Sequence, residues 1–159
     1  MLRLMPIEVP IPGGADLHLR YLLLDVNGTL TDRGNLMDGV QPRIQLLQPR
    51  LEIRLLSADT YGTVHDIAKQ LGDLPVDTIS TGEDKDAFAR QVGPAACAAI
   101  GNGANDELML GTVALGIAVL GREGTSSRAL TAADLVAPTI VDALDLLMDP
   151  SALTATLRS

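Results

Sequence analysis

The chain has 159 residues, of which 47% are apolar and 2% aromatic, and its formal net charge is −8 at pH 7. This length allows one domain with a sizeable core, which we expect over residues 1–159. The charge disfavours nucleic acid and anionic membranes as partners, and no apolar run approaches the roughly 18 residues of a membrane span. Cys97 has no cysteine partner and the N-terminus lacks a long apolar region, so we expect a cytoplasmic protein.

The first part of the chain is predicted to be β structure followed by a loop. Residues 7–11 and 17–26 predict two strands of an N-terminal β-hairpin, and the Gly/Pro-rich residues 12–16 predict the turn between them. Residues 1–16 would then form a short arm. Turn-forming residues recur throughout 31–39, which predicts an irregular loop too short to be a lid domain.

From residue 40 onward, predicted helices and strands alternate. The helices cover residues 40–47, 64–71, 84–92, 105–110, 126–133 and 140–148. The strands cover residues 51–56, 76–79, 95–100, 115–120 and 135–137. This alternation predicts an α/β fold, a mainly parallel sheet between two helical layers with right-handed crossovers. The tail, residues 150–159, is expected either to dock as a short helix or to fray.

Polar side chains follow the predicted strands at the sheet edge where open α/β folds bind ligands. These side chains are Asp25, Ser57, Asn102, Asn105 and Asp106, together with Lys85 at the start of a helix. The set suits phosphoryl transfer, because a carboxylate such as Asp25 can attack phosphorus and carry a covalent acyl phosphate. Oxygen-liganded Mg²⁺ would offset the repulsion between carboxylate and phosphate. Hydroxyl, amide and ammonium groups would hold the phosphoryl oxygens.

Four segments resemble, in order, the four motifs of the haloacid dehalogenase (HAD) superfamily. They are DVNGTLTD (25–32), LLSAD (55–59), GEDKDAFA (82–89) and GNGANDELM (101–109). Within that superfamily they are most similar to the phosphorylation domain of P-type ATPases and to the small proteins called soluble P-type ATPases. The resemblance covers roughly residues 17–148. It implies a Rossmann-like three-layer core without a large cap domain, hydrolase activity of the phosphatase or ATPase type, and Mg²⁺ as cofactor.

The resemblance also implies a role for each matched residue. Asp25 would be the nucleophile, and Asn27 occupies the position of the general acid/base. The implied phosphate-binding residues are Ser57, Ala58, Lys85 and Thr29. The implied metal ligands are Asp25, Asn27, Asn102 and Asp106, with Asn105, Gly28 and Asp59 in supporting positions. For Asp59, a helix cap and a role near the site remain alternatives.

Two asparagines depart from the superfamily pattern. HAD phosphatases have aspartate where this chain has Asn27, and an amide cannot perform the proton transfer, which is typically worth roughly 10²–10⁴-fold in rate. Asn102 replaces a metal-binding aspartate, so we expect weaker Mg²⁺ binding. Both asparagines precede glycine. Deamidation could therefore restore an acid at either position with age, unless the fold protects both.

Two functional hypotheses follow. In the first, the chain is a Mg²⁺-dependent phosphohydrolase or phosphotransferase with low turnover. Its substrate would be a small or partner-delivered phosphorylated molecule or an acyl phosphate, and neighbouring copies in a homo-oligomer could cover the open site. In the second, the chain is a catalytically degenerate binding or regulatory module. The chain alone has no room for an ion pump.

Overall fold

The structure, a computed structural model, describes residues 3–59 and 62–159. The strands are β1 (Ile7–Val9), β2 (Leu17–Leu19), β3 (Tyr21–Asp25), β4 (Thr31–Asp32), β5 (Asn35–Leu36), β6 (Glu52–Ser57), β7 (Val76–Thr78), β8 (Cys97–Gly101), β9 (Leu115–Val119) and β10 (Leu135–Ala137). The helices are α1 (Val40–Leu47), α2 (Val64–Gln70), α3 (Gly82–Val92), α4 (Glu107–Thr112), α5 (Ser127–Ala132), α6 (Ile140–Leu147) and α7 (Pro150–Leu157).

Six strands form one parallel sheet in the order β10-β9-β8-β3-β6-β7. The central strand β3 is apolar on both faces, as expected when helices cover a sheet on both sides. Leu22 and Leu24 belong to one core cluster and Leu23 to the other, and all three are fully buried. The predicted three-layer α/β architecture is confirmed.

The N-terminal hairpin is present, but the predicted strand 17–26 is divided between two sheets. β1 pairs with β2 in antiparallel register, and β3 pairs with β6 and β8 in the main sheet. The division falls at Arg20, whose N–H donates to the Ala96 carbonyl and whose carbonyl accepts from Glu52 N–H. The tail docks as α7, where Leu153 is buried and the Thr154 hydroxyl donates to the Pro10 carbonyl at 2.8 Å.

The prediction of an irregular loop over 31–39 is wrong for residues 31–36. β4 and β5 form a small antiparallel hairpin, in which Thr31 lies opposite Leu36. Its two turn residues, Arg33 and Gly34, both have positive φ, 49° and 88°, which is the requirement of a type I′ turn. Two-residue strands are too short to show an alternating pattern, so the sequence gives no sign of them.

The topology brings the carboxyl ends of three adjacent strands together. β6, β3 and β8 are neighbours, and they end at Ser57, Asp25 and Gly101. Within the described part of the chain, no helix is long and apolar enough to cross a membrane.

Candidate active site

A buried lysine joins two aspartates at the carboxyl edge of the sheet. Lys85 Nζ lies 2.9 Å from Asp25 Oδ1 and 2.7 Å from Asp106 Oδ1. Lys85 and Asp106 are fully buried, and Asp25 is 6% exposed. A buried charge is tolerated when it is paired and hydrogen-bonded, so the three groups form one electrostatic unit.

Helix α3 delivers Lys85 to this unit. Thr81 caps the helix through a hydrogen bond from Asp84 N–H to its hydroxyl oxygen at 3.1 Å, and Lys85 follows within the first turn. Burial by itself would lower the pKa of Lys85, but the charges of Asp25 and Asp106 outweigh burial and raise the pKa above its usual value. The ammonium group therefore stays charged and neutralises part of the carboxylate pair.

Asp106 also fixes the loop that follows β8. Its second oxygen, Oδ2, accepts the N–H groups of Asn102 at 3.1 Å and Gly103 at 3.0 Å. A side chain on Gly101 would collide with this carboxylate, since an added Cβ would lie 2.5 Å from Asp106 Cγ. Asp106 therefore orients Lys85 and the Asn102 loop. Its predicted place among the metal ligands stays a prediction.

We expect Asp106→Asn to lower the free energy of unfolding by about 3 kcal/mol, because Lys85 loses one of two neutralising charges in a buried site. The amide also cannot accept hydrogen bonds from both Lys85 and the loop N–H groups. Urea unfolding measures the change. Asp145→Asn is the control, since it removes an exposed ion pair with Arg43 and should cost at most about 1 kcal/mol. Equal effects of the two substitutions would contradict the proposed unit.

Thr29 connects Asp25 to Asn102. Its hydroxyl lies 2.9 Å from Asp25 Oδ2 and 3.1 Å from Asn102 Oδ1, and it is 1% exposed. Because a hydroxyl has one proton, it donates to one of these oxygens at a time. Gly28 makes the close packing possible, with φ of +76° and with a Cβ position only 2.6 Å from Asn102 Nδ2.

A small cavity of about 250 Å³ opens beside this cluster. It is lined by Asp25, Asn27, Gly28, Ala58, Asn102, Gly103, Asn105 and Glu123. The structure thus brings most of the predicted site residues to one cavity. Ser57, Thr29, Lys85 and Asp106 are buried next to the lining residues, so direct contact of Lys85 with a phosphoryl group stays a prediction.

Ser57 ends β6, and its hydroxyl contacts both Asn27 and Asp59. Its hydroxyl oxygen accepts Asp59 N–H at 2.8 Å, and Asn27 Nδ2 approaches it at 3.5 Å. Asp59 has a positive φ of 54°, and its Oδ1 accepts Val64 N–H at 3.1 Å. Asp59 therefore accepts the first N–H group of α2, and its role near the site stays a prediction.

Sequence reasoning missed the loop of residues 121–125, which closes one side of the cavity. Asn102 Nδ2 donates to the Gly124 carbonyl at 2.9 Å, and a Cβ on Gly121 would lie 2.5 Å from the Gly28 carbonyl oxygen. Glu123 Oε2 accepts Arg33 N–H at 3.1 Å, which ties the β4–β5 hairpin to this loop. The signal for this loop in the sequence is Gly-Arg-Glu-Gly, which follows a predicted strand.

The hydrogen bonds around Asn102 bear on its deamidation. Cyclisation needs the following backbone nitrogen to attack the side-chain amide, but Gly103 N–H is held by Asp106 and the amide is held by Gly124. Protection by the fold is therefore the expected outcome at Asn102.

The oxygen donors of the cavity fit a hard divalent cation such as Mg²⁺. Asp25 Oδ2 and Asn102 Oδ1 converge on the Thr29 hydroxyl, and Asn27 lines the same cavity. Among residues 3–59 and 62–159, no cluster of three or more His, Cys, Asp or Glu side chains is arranged to hold a metal. The ion would therefore be held by one carboxylate and neutral oxygens, so we expect weak binding.

The surroundings of Asp25 disfavour its charge. Burial, and then the charge of Asp106, raises the pKa of Asp25 to about 7, although Lys85 and Thr29 act in the opposite direction. A cation beside this carboxylate would favour the ionised form, which is the form that can act as a nucleophile.

This pKa predicts a pH-dependent stability in metal-free buffer. The folded pKa of about 7 exceeds the ordinary value of 3.8. The folded chain therefore binds more protons between these values, and the contribution of Asp25 to stability is lost as the pH rises from 3.8 to 7. The loss approaches about 1.4 kcal/mol per pH unit where the difference in protonation is complete.

Urea unfolding in EDTA at about pH 5 and pH 7.5 tests this prediction. Asp25→Asn lacks the titrating group, so its stability relative to wild type should increase at the higher pH. Parallel pH profiles for the two proteins would contradict it.

Comparison with known proteins shows both sequence relatives and structural neighbours. No protein-family model matches the chain. An uncharacterized protein of Methanocaldococcus jannaschii is 52% identical over 60 residues, which are 38% of this chain and 64% of that protein. A second uncharacterized protein of the same organism is 49% identical over 39 residues, 24% of this chain and 89% of that protein. The chain belongs to the same family as this second protein.

Solved structures share the fold across most of the chain. A protein of Streptomyces avermitilis, assigned to the HAD family of hydrolases, has a TM-score of 0.67 at 20% identity and covers 91% of both chains. The 3-deoxy-D-manno-octulosonate 8-phosphate phosphatase of Moraxella catarrhalis, in complex with magnesium and phosphate, has a TM-score of 0.64 at 16% identity, covering 86% of this chain and 90% of that one. A zinc-transporting PIB-type ATPase has a TM-score of 0.63 at 25% identity, covering 77% of this chain and 20% of that one.

Proposed function

We propose that the chain, which shares the fold of haloacid dehalogenase hydrolases and of part of a P-type ATPase, is a Mg²⁺-dependent phosphohydrolase or phosphotransferase that forms an aspartyl phosphate at Asp25. The observation that carries the proposal is the position of Asp25. It is the one residue that both contacts buried Lys85 and lines the cavity among the described residues.

The described contacts support a nucleophilic role for Asp25. Lys85 and Thr29 each hold one of its oxygens, so the carboxylate has a fixed orientation where it lines the cavity. In the proposed step an Asp25 oxygen forms a bond to phosphorus while the bond from phosphorus to the leaving oxygen breaks. Asp25, Asn102 and Asn27 would hold Mg²⁺, which when bound would offset the charge of the phosphoryl group.

The missing acid at Asn27 points to the class of substrate. Without a proton donor beside the leaving oxygen, transfer is efficient only from substrates whose leaving group is stable as an anion. Acyl phosphates and aryl phosphates meet this condition, whereas alkyl phosphates such as sugar phosphates do not. We therefore place small acyl phosphates ahead of sugar phosphates as substrates, with a low turnover.

The two asparagines also favour the alternative of a binding or regulatory module. Asn27 removes the usual proton transfer and Asn102 removes one charge from the metal site, so a chain with this cavity could bind phosphate and Mg²⁺ without turnover. Coverage of the open cavity by a second copy of the chain stays a prediction of either hypothesis.

Phosphate release from acetyl phosphate, with p-nitrophenyl phosphate as second substrate, separates these hypotheses. We expect wild type to release phosphate from both in the presence of Mg²⁺, and EDTA to remove the activity. Excess Mg²⁺ should restore the activity, because Mg²⁺ is predicted to bind this site weakly and reversibly. Phosphate release no faster than that of the heat-denatured chain would contradict the enzyme hypothesis and favour the module.

A further inference from the structure

The cavity has a second carboxylate, which the resemblance to the four motifs does not account for. Among the described residues that line it, Asp25 and Glu123 are the two carboxylates. Asn27, at the position of the usual general acid/base, lines the same cavity and cannot exchange a proton. The second carboxylate of the cavity therefore comes from the loop after β9.

We propose that Glu123 is the general base that activates water for hydrolysis of the aspartyl phosphate, an inference that rests on the proposed function. The water oxygen forms a bond to phosphorus, and the bond between phosphorus and the Asp25 oxygen breaks. The proton of the water passes to the Glu123 carboxylate, and Asp25 is released as a carboxylate. The products are inorganic phosphate and a protonated Glu123, which returns its proton to solvent.

The position of Glu123 is fixed from two sides. On one side its loop is held by the hydrogen bond from Asn102 to Gly124 and by one from Ser126 N–H to the Asn102 carbonyl at 2.8 Å. On the other side Arg33 N–H donates to Glu123 Oε2. Glu123 is exposed, so the proton it receives can leave to solvent. A carboxylate held in this way lines the cavity and can accept a proton from water that enters it.

Glu123 could instead serve only as an anchor for the β4–β5 hairpin. Glu123→Gln separates the two roles, because the amide keeps an oxygen that accepts Arg33 N–H but cannot take a proton. An anchoring role predicts little change in this variant. A base predicts that formation of the phosphoenzyme is retained and that its hydrolysis is slowed.

The experiment measures the decay of phosphorylated Asp25. Wild type, Glu123→Gln and the control Glu107→Gln are incubated with acetyl phosphate and saturating Mg²⁺, the substrate is removed, and phosphoenzyme is quantified by mass spectrometry over time. Glu107 pairs with Arg128 at the surface and does not line the cavity.

We expect decay to slow roughly 10-fold or more in Glu123→Gln and to be unchanged in Glu107→Gln. Adding Asn27→Asp to Glu123→Gln should restore the decay, because it places a proton acceptor in the same cavity.

Each other outcome overturns the inference. If wild type forms phosphoenzyme and Glu123→Gln loses it at the wild-type rate, Glu123 is not the base, although the proposed function stands. If the only change in Glu123→Gln is the Mg²⁺ concentration that phosphoenzyme decay requires, Glu123 acts electrostatically and not as a base. If wild type takes up no phosphoryl group, the proposed function fails and this assignment fails with it.

Discussion

Replacing Asp25 by asparagine should reduce Mg²⁺-dependent release of phosphate from acetyl phosphate by at least roughly 10³-fold. The substitution keeps the shape of the side chain and an oxygen for Lys85, but an amide is not a nucleophile towards phosphorus. Initial rates at saturating substrate measure the effect. Because burial raises the pKa of Asp25 to about 7, the fold should tolerate the neutral side chain.

The control for this substitution is Asp145→Asn, which also removes one aspartate charge but at an exposed pair with Arg43. We expect it to retain the wild-type rate. Asp25→Ala, tested beside Asp25→Asn, guards against slow deamidation back to aspartate. If either Asp25 variant kept more than a small fraction of the activity, phosphate release would proceed without a covalent intermediate at Asp25.

Replacing Asn27 by aspartate should raise turnover, and the gain should depend on the leaving group. The new carboxyl group would protonate the leaving oxygen, so we expect a gain of roughly 10²-fold with an alkyl phosphate such as β-glycerophosphate. With acetyl phosphate we expect about tenfold or less, because its leaving group needs no proton. Steady-state kcat values for the two substrates measure the difference.

The structure indicates that Asn27→Asp is compatible with the fold. Asn27 is only partly buried, and its amide forms a long hydrogen bond of 3.5 Å with the Ser57 hydroxyl. Asn105→Asp, which adds a carboxylate to the same cavity away from the acid/base position, is the matched control. Equal gains with alkyl and acyl phosphates, or an equal gain from Asn105→Asp, would contradict the acid/base argument.

The sheet was predictable because its signals are local and strong. Residues 21–24 form an apolar run that ends at the Asp25 carboxylate, and runs rich in apolar residues also lead to Ser57 and to Asn102. Buried parallel strands give such runs, and their carboxyl ends meet at one edge. This reasoning predicts that Asp25, Asn27 and Asn102 lie close together, and in the structure all three line one cavity.

Other features depend on long-range contacts that no local pattern encodes. The bridge from Lys85 to both Asp25 and Asp106 joins residues 60 and 21 positions apart. Glu123 reaches the cavity through contacts with Arg33 and a loop bonded to Asn102. Nothing in the sequence around 121–125 specifies those partners, and the two-residue strands of the β4–β5 hairpin carry no periodicity.

The central claim, a covalent phosphoryl group on Asp25, is tested most directly by peptide mass mapping. Wild type is incubated with acetyl phosphate and Mg²⁺, quenched in acid and digested at once. We predict that the peptide containing Asp25 gains the mass of one phosphoryl group, and that hydroxylamine removes it, as expected of an acyl phosphate. A Mg²⁺-dependent phosphatase activity with no modified peptide, or with the phosphoryl group on another residue, would contradict the account.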